Sequence, residues 1–318
     1  MIVNILLLIV GFVLLIKGAD IFVDGASSTA KNFKVSKMLI GLTIVAFGTS
    51  APEFAVSMSA LANGSTDMVL GNVIGSCILN TLLILGVAAA IKPIKIHDNT
   101  VKKEVPLALL ISTLLVVLML DSKLGNGILN QITRSDAFVI ILFFTVFVYY
   151  LISLARQKKD EKDDEDMKTM KLWKSLLFVA IGLAGIIIGS DFVVDNATNI
   201  AKTLGISERV ISLTIIAFGT SLPELVTTII SSKKGEQDLL LGNIIGSNIF
   251  NICVVLGIPV AIFGTITPSS FSYIDLVMLI SSTLLLYLFS RSNRIISRLE
   301  GILMLIIFAT YYTLVFVL

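Results

Sequence analysis

The sequence predicts an all-α polytopic membrane protein: ten transmembrane helices arranged as two inverted five-helix repeats. Three observations predict it. Of 318 residues, 56% are hydrophobic and only 14% charged, with a mean hydropathy of +0.97; soluble domains carry roughly 25% charged residues. The apolar residues come in runs of the length a helix needs to cross a hydrocarbon core, about 20 residues at a rise of about 1.5 Å each. Finally, the chain repeats itself at a constant shift.

The runs follow in order, each bounded by charge, Pro or Gly. The first, 2–24, ends before the basic loop holding Lys31, Lys34 and Lys37. It lacks a basic leader and a small-residue cleavage site, so it reads as a retained helix. The second, 38–62, stops at Asn63-Gly64, and the third, 68–91, lies between Asp67 and Lys92-Pro93. The fourth and fifth, 104–121 and 135–155, are separated by a polar loop ending at Arg134. The sixth, 173–196, follows a charged stretch; the seventh, 209–232, ends at Lys233-Lys234. The last three are 239–263, closed by Gly264; 273–290, closed by Arg291; and 297–317.

Basic residues prefer cytoplasmic loops. With the amino terminus outside, and bases at the run ends (Lys174, Arg209, Arg298) counted with the connection they border, the inner connections hold 19 Lys and Arg and the outer ones 4. Both termini are therefore expected outside. Residues 1–155 form the first repeat and 173–318 the second, joined by a charged cytoplasmic linker at 156–172 that contains Asp163, Asp164, Glu165 and Asp166. This linker reads as a solvated connection, with a regulatory calcium site in its acidic run as the alternative, and is too short for a folded regulatory domain.

Composition excludes several functions. One histidine and two cysteines, Cys77 and Cys253 inside apolar runs, leave no basis for a zinc site or a Cys/His nucleophile. His97 sits in a polar loop beside Lys92 and Lys95 and reads as an exposed residue. The net charge of +2, with the bases in loops, gives nucleic-acid binding no support. No resident cofactor is expected, and the chain reads as no enzyme.

The internal repeat organises the site. Shifted by 171 residues, Gly18–Gly86 aligns with Gly189–Gly257 without a gap, and 31 of 69 pairs are identical. The matched motifs lie at 41–86 and 212–257. Five crossings per repeat is an odd number, so the second copy enters the membrane from the opposite side. Inverted repeats are an architecture of secondary transporters, whose site lies near the midplane.

Glu53 and Glu224 occupy equivalent positions deep in the second and seventh runs, where a carboxylate costs roughly 2.5 to 3.5 kcal/mol unless it faces a cavity. No Lys or Arg lies in these central segments, so a bound cation is the expected neutralising partner; carboxylates are hard oxygen donors suited to Ca²⁺ or Na⁺. Pro52 and Pro223 precede them and predict kinks that free backbone carbonyls near Gly48 and Gly219. Thr49, Ser50, Thr220 and Ser221 add neutral oxygens. Ser76 with Asn80, and Ser247 with Asn251, stand four apart on one face of the third and eighth helices. Asp20, Asp24, Asp191 and Asp195, near the ends of the first and sixth runs, read as interfacial caps or interhelical hydrogen-bond partners outside the site, with ion guidance as the alternative.

The blocks GTSAPE at 48–53 with GNVIGSCILN at 71–80, and GTSLPE at 219–224 with GNIIGSNIFN at 242–251, resemble the two alpha-repeats of the sodium/calcium exchangers of the calcium/cation antiporter superfamily. The resemblance implies ten helices in a prokaryotic plasma membrane, and alternating access by sliding of the first and sixth helices. It also implies a pathway complete within one chain, with lipid as its surroundings. It assigns Glu53 and Glu224, with backbone oxygens of Thr49 and Thr220, to Ca²⁺ and shared Na⁺ coordination. Ala46 and Ala217 carbonyls, Ser50, Ser221, Ser76 and Ser247 would serve Na⁺, and Asn80 and Asn251 the middle position. Asn251 stands where some prokaryotic and potassium-dependent members carry aspartate, which leans against potassium dependence and leaves two fixed negative charges. One Ca²⁺ neutralises these and three Na⁺ leave +1, so an electrogenic 3:1 exchange is expected. The rivals are proton/calcium or other divalent antiport, and, from a different class, a cation channel or calcium sensor.

Overall fold

The computed structural model describes residues 1–124, 130–156, 170–205, 217–268 and 273–317. Eleven helices matter here. They are α1 (Ile2–Asn32), α2 (Lys37–Thr49), α3 (Ala51–Ala62), α4 (Thr66–Ile91), α5 (Val105–Leu118), α6 (Arg134–Arg156), α7 (Leu172–Thr203), α8 (Leu222–Lys234), α9 (Gln237–Phe263), α10 (Tyr273–Arg291) and α11 (Arg298–Val317). Seven of the helices among the described residues are long and apolar enough to span a membrane, and the bent pair α2 with α3 makes an eighth. The run expected at 104–121 contains α5 and that at 209–232 overlaps α8, helices of 14 and 13 residues that are too short to qualify alone. The linker acids, with the rest of 157–169, lie outside the described residues, as does the start of the second motif at 212–216.

Two compact units make up the chain: Met1–Pro52 with Ser153–Asn243, and Glu53–Ile152 with Ile244–Leu318. The expected division at 156–172 follows the repeat; these units each draw helices from both repeats.

In the first unit, α1 and α7 lie against each other at backbone distance. A Cβ on Gly18 would stand 2.8 Å from the Gly185 carbonyl carbon, and one on Gly182 2.5 Å from the Phe22 nitrogen. Gly11 and Gly25, seven residues either side of Gly18, make similarly close approaches to Val193 and Val179. In lipid, where hydrophobic attraction between helices is lost, such small-residue seams supply the dispersion contact that holds helices together. Both helices outrun the expected spans 2–24 and 173–196, by eight and seven residues at their carboxyl ends. The polar extension of α1 has a reason: Asn32 Nδ2 donates to the Met170 carbonyl at 2.9 Å and Ser28 Oγ accepts from the Met170 N–H at 3.0 Å. Asp20 and Asp24 are consequently interior to α1 rather than at its end. They accept from Lys234 Nζ at 2.9 and 2.6 Å, the interhelical partnership that their spacing allowed. Lys37, the first residue of α2, and Glu236, just ahead of α9, form a further ion pair at 2.7 Å.

The second unit is built on α4 and the main part of α9, the most buried spans of the molecule. Gly86 of α4 and Gly301 of α11 meet backbone to backbone. Two short antiparallel links join connections between helices: β1 (Ile94–Lys95) with β2 (Ile295–Ile296), and an isolated bridge between Ile132 and Ile266. Two residue pairs separated by the repeat shift touch one another. Cys77 Sγ donates to the Asn248 carbonyl at 3.7 Å, and the hydroxyls of Ser112 and Thr283 lie 3.5 Å apart. His97 is exposed and both cysteines are buried and free.

Candidate ion-binding site

The prolines do more than kink their helices. The helix breaks at Ser50 (φ −86°, ψ 7°) and at Ser221 (φ −91°, ψ 6°), the same sparsely populated backbone region at both repeat-equivalent positions. Pro52 and Pro223 then sit in the first turns of α3 and α8, where a missing N–H costs nothing and the fixed φ suits a new helix. Glu53 and Glu224 follow in those same first turns. The glutamates are thus not mid-helix, as the run boundaries suggested, but at half-helix amino termini, whose dipole favours a carboxylate.

In the first unit, Ala46, Thr49 and Ser50 from the first repeat share the unit with Ala217, Thr220, Ser221 and Glu224 from the second. Ser50 Oγ donates to Glu224 Oε1 at 2.9 Å, so residues 174 apart in sequence are bonded. Glu224 is 1% exposed and its Oε2 has no hydrogen-bond partner among the described residues. Thr49 Oγ1 lies 3.1 Å from the Val45 carbonyl and 3.1 Å from Asn243 Oδ1, with one proton to give. The Ala46 carbonyl accepts from the Ser50 N–H at 3.0 Å and lies 3.5 Å from Thr49 Oγ1. The Gly219 carbonyl, expected free, accepts from Ser190 Oγ at 3.0 Å. Thr220 is half-buried, and Ala217 opens the turn Ala217–Gly219 before the break.

The second unit holds Glu53, Ser76, Asn80, Ser247 and Asn251, all buried. The Glu53 carbonyl accepts from Asn72 Nδ2 at 3.0 Å, and the same amide reaches Ser57 Oγ at 2.9 Å. Asn80 Oδ1, Ser247 Oγ and both polar atoms of the Asn251 side chain are buried without a hydrogen-bond partner among the described residues. Native interiors rarely leave such atoms unpaired, because each forfeits its hydration without return. Asn80 and Asn251 lie in π-helical segments, Leu79–Ile84 and Asn251–Leu256, at near-equivalent places in the two repeats. Such segments are frequent at functional sites because they re-aim side chains.

Among the described residues no three His, Cys, Asp or Glu side chains gather as a metal cluster. The oxygen donors are instead Glu224 with the Ser50 hydroxyl bonded to it in one unit, and Glu53 with the buried side chains of Ser76, Asn80, Ser247 and Asn251 in the other. Such neutral oxygens with a single carboxylate match hard, weakly held cations better than a transition metal.

A sequence model described as sodium/calcium exchanger protein matches residues 3–153 and 174–317. The chain belongs to the sodium/calcium exchanger family. This family member is 32% identical to the sodium/calcium exchanger MaX1 of Methanosarcina acetivorans over 99% of each chain. It is 38% identical to the inner membrane protein YrbG of Escherichia coli, covering 94% of this chain and 92% of that one. Its fold superposes on a solved structure of the sodium-calcium exchanger NCX_Mj with a TM-score of 0.85 and 32% identity, over 99% of this chain and 98% of the other. It is an all-helical integral membrane protein of the exchanger type.

Sequence reasoning missed several polar residues of these segments. Asn72 and Asn243 are repeat equivalents that hold Ser57 and Thr228, themselves equivalents, and Asn243 also reaches Thr49. Their signal was present in the GN dipeptide shared by both motifs. Asn248 has no such signal, since its repeat equivalent is Cys77.

Proposed function

We propose that this family member is a secondary active antiporter that exchanges Na⁺ for Ca²⁺ by alternating access, through ten transmembrane helices in two inverted five-helix repeats with both termini outside. One chain suffices for transport, in a prokaryotic cytoplasmic membrane. Glu53 and Glu224 carry the Ca²⁺ charge, with Thr49, Thr220, Ser50, Ser221, Ser76, Ser247, Asn80, Asn251 and the Ala46 and Ala217 carbonyls supplying neutral ligands. The observation that carries this reading is Glu224: a carboxylate at 1% exposure, at a half-helix start within the membrane, with one oxygen bound to Ser50 and the other unpartnered. A cation is the partner that makes such a group tolerable. Contacts between residues one repeat shift apart, Cys77 with Asn248 and Ser112 with Thr283, support the inverted symmetry, since a two-fold axis brings equivalent positions together.

Two fixed negative charges set the coupling. One Ca²⁺ balances them and three Na⁺ leave one positive charge, so each cycle moves one net charge, worth about 2.3 kcal/mol per 100 mV. Together the two loads would place excess positive charge in a low-dielectric site, which makes exchange obligatory.

Reconstituted into liposomes loaded with Na⁺, the protein takes up radiolabelled Ca²⁺ from the outer medium, faster when the potential favours net charge movement, and Glu53→Gln is inactive. Uptake driven by acid loading alone would replace Na⁺ with protons as the counter-ion. Uptake that needs no counter-ion would indicate a channel and overturn the reading.

A further inference from the structure

Asn248 forms part of a short buried chain of amides and hydroxyls in the second unit. Asn80 Nδ2 donates to Asn248 Oδ1 at 3.2 Å, and Asn248 Nδ2 donates to Thr81 Oγ1 at 2.8 Å. Asn248 is 4% exposed, Asn80 1% and Thr81 0%, so bulk solvent does not compete for these bonds. The direction of the chain has a consequence for Asn80. An amide has one end that donates and one that accepts. With Nδ2 committed to Asn248, Oδ1 must point the other way, and there it is buried with no hydrogen-bond partner among the described residues.

We infer that Asn248 is a positioning residue: it holds the Asn80 amide by its nitrogen so that Oδ1, the cation-binding end, stays presented as an ion ligand. This rests on the assignment of Asn80 as an ion ligand in the proposed function. A flipped Asn80 would aim an N–H dipole at the cation and face its oxygen to Asn248 Oδ1, two acceptors without a proton between them. Turning Asn248 over to meet it would require Thr81 Oγ1 to give up the 2.8 Å bond it accepts and become the donor, so a flip of Asn80 takes three groups together. The repeat shift shows how one-sided the device is. The position equivalent to Asn248 in the first repeat is Cys77, whose Sγ donates to the Asn248 carbonyl. Asn251, the equivalent of Asn80, has neither polar end of its side chain engaged among the described residues. The middle position therefore has one amide held by its nitrogen and one held at neither end among the described residues.

The test uses the full chain in proteoliposomes, with Na⁺-driven Ca²⁺ uptake as the readout and Ca²⁺ as the varied ion. Asn248→Leu removes both bonds at similar volume and raises KM for Ca²⁺ about ten-fold, the size expected for losing one oriented neutral ligand, with kcat reduced less. Asn248→Asp, which accepts from Asn80 Nδ2 as before, keeps KM nearer the wild-type value. In an Asn80→Asp background, where either end of the side chain is an oxygen, Asn248→Leu has little further effect on KM. If Asn248→Leu does not fold, Thr81→Val decides: it removes the acceptor that biases Asn248 and raises KM about three-fold. A KM unchanged within two-fold in the folded variants, or equal losses from Asn248→Leu in the wild-type and Asn80→Asp backgrounds, would overturn the positioning role while leaving the exchanger reading intact. Wild-type protein that moves no Ca²⁺ would overturn that reading itself.

Discussion

Replacing Glu224 by glutamine separates the need for charge from the need for shape. Glutamine keeps the volume and the oxygen that accepts from Ser50 Oγ at 2.9 Å, and removes one full charge from a side chain at 1% exposure. Without a bound ion, burying that charge costs several kcal/mol. The Ser50 bond returns about 1.5 to 3 kcal/mol as a hydrogen bond to a charged group, and the half-helix terminus about 0.3 to 1 kcal/mol. The unpartnered Oε2 returns nothing. Glu224→Gln therefore leaves the ion-free protein more stable by about 1 to 3 kcal/mol, which raises Tm by roughly 2–4 °C per kcal/mol. Calcium acts in the opposite sense. At a hundred-fold excess over Kd it stabilises the wild type by about 2.7 kcal/mol and the variant by nothing. Thermal unfolding of detergent-purified protein, in chelator and then in Ca²⁺, reads both effects, with radiolabelled Ca²⁺ exchange beside them. A variant less stable than wild type in chelator that still gains stability from Ca²⁺ would refute the claim that this carboxylate is held for a cation.

Gly182→Ala places a methyl 2.5 Å from the Phe22 nitrogen, against backbone that has no rotamer to yield; it destabilises by about 1 to 3 kcal/mol, measured by thermal unfolding. Lys234→Met breaks the bonds to Asp20 and Asp24, which are about half exposed, so the loss is at most about 1 kcal/mol and shrinks as salt is raised in the same assay. Asp98, in the loop before α5, is held below its ordinary value of 3.8, first by the hydrogen bond from Lys102 and then by Arg294 and the Lys102 charge. A depressed carboxylate contributes stability above its unfolded value that is lost as pH falls through the folded one. Asp98→Asn therefore flattens a small part of the acid limb of the Tm against pH curve below about pH 4 and leaves Tm less dependent on salt above it.

Much of the fold was legible because lipid imposes a strict rule on the chain: every backbone polar group must be satisfied within its own segment, so an apolar run of sufficient length is a helix. That is why α4, α6, α9, α10 and α11 fall on expected runs. The helix overruns were not legible, because the last eight residues of α1 are mostly small or polar and are held by Met170 and Ser175, partners some 140 residues away. The breaks were half legible. Pro52 and Pro223 marked them, but a proline suits the interior of a kinked helix or the start of a new one, and the backbone at Ser50 and Ser221 decided for the start.

The sequence by itself determined the membrane class, the doubled motif and which residues carry chemistry, because the cost of a carboxylate in hydrocarbon and the identity of 31 aligned pairs are both properties of the chain alone. Only the tertiary structure decided what each polar group does with its two ends. Ser50 bonds Glu224 across the repeats, Ser190 takes the Gly219 carbonyl that the proline freed, and Asn248 takes the nitrogen of Asn80 and leaves its oxygen. Hydrogen bonds are directional and short, about 3 Å, so their pairing depends on distances between helices that a linear pattern does not contain.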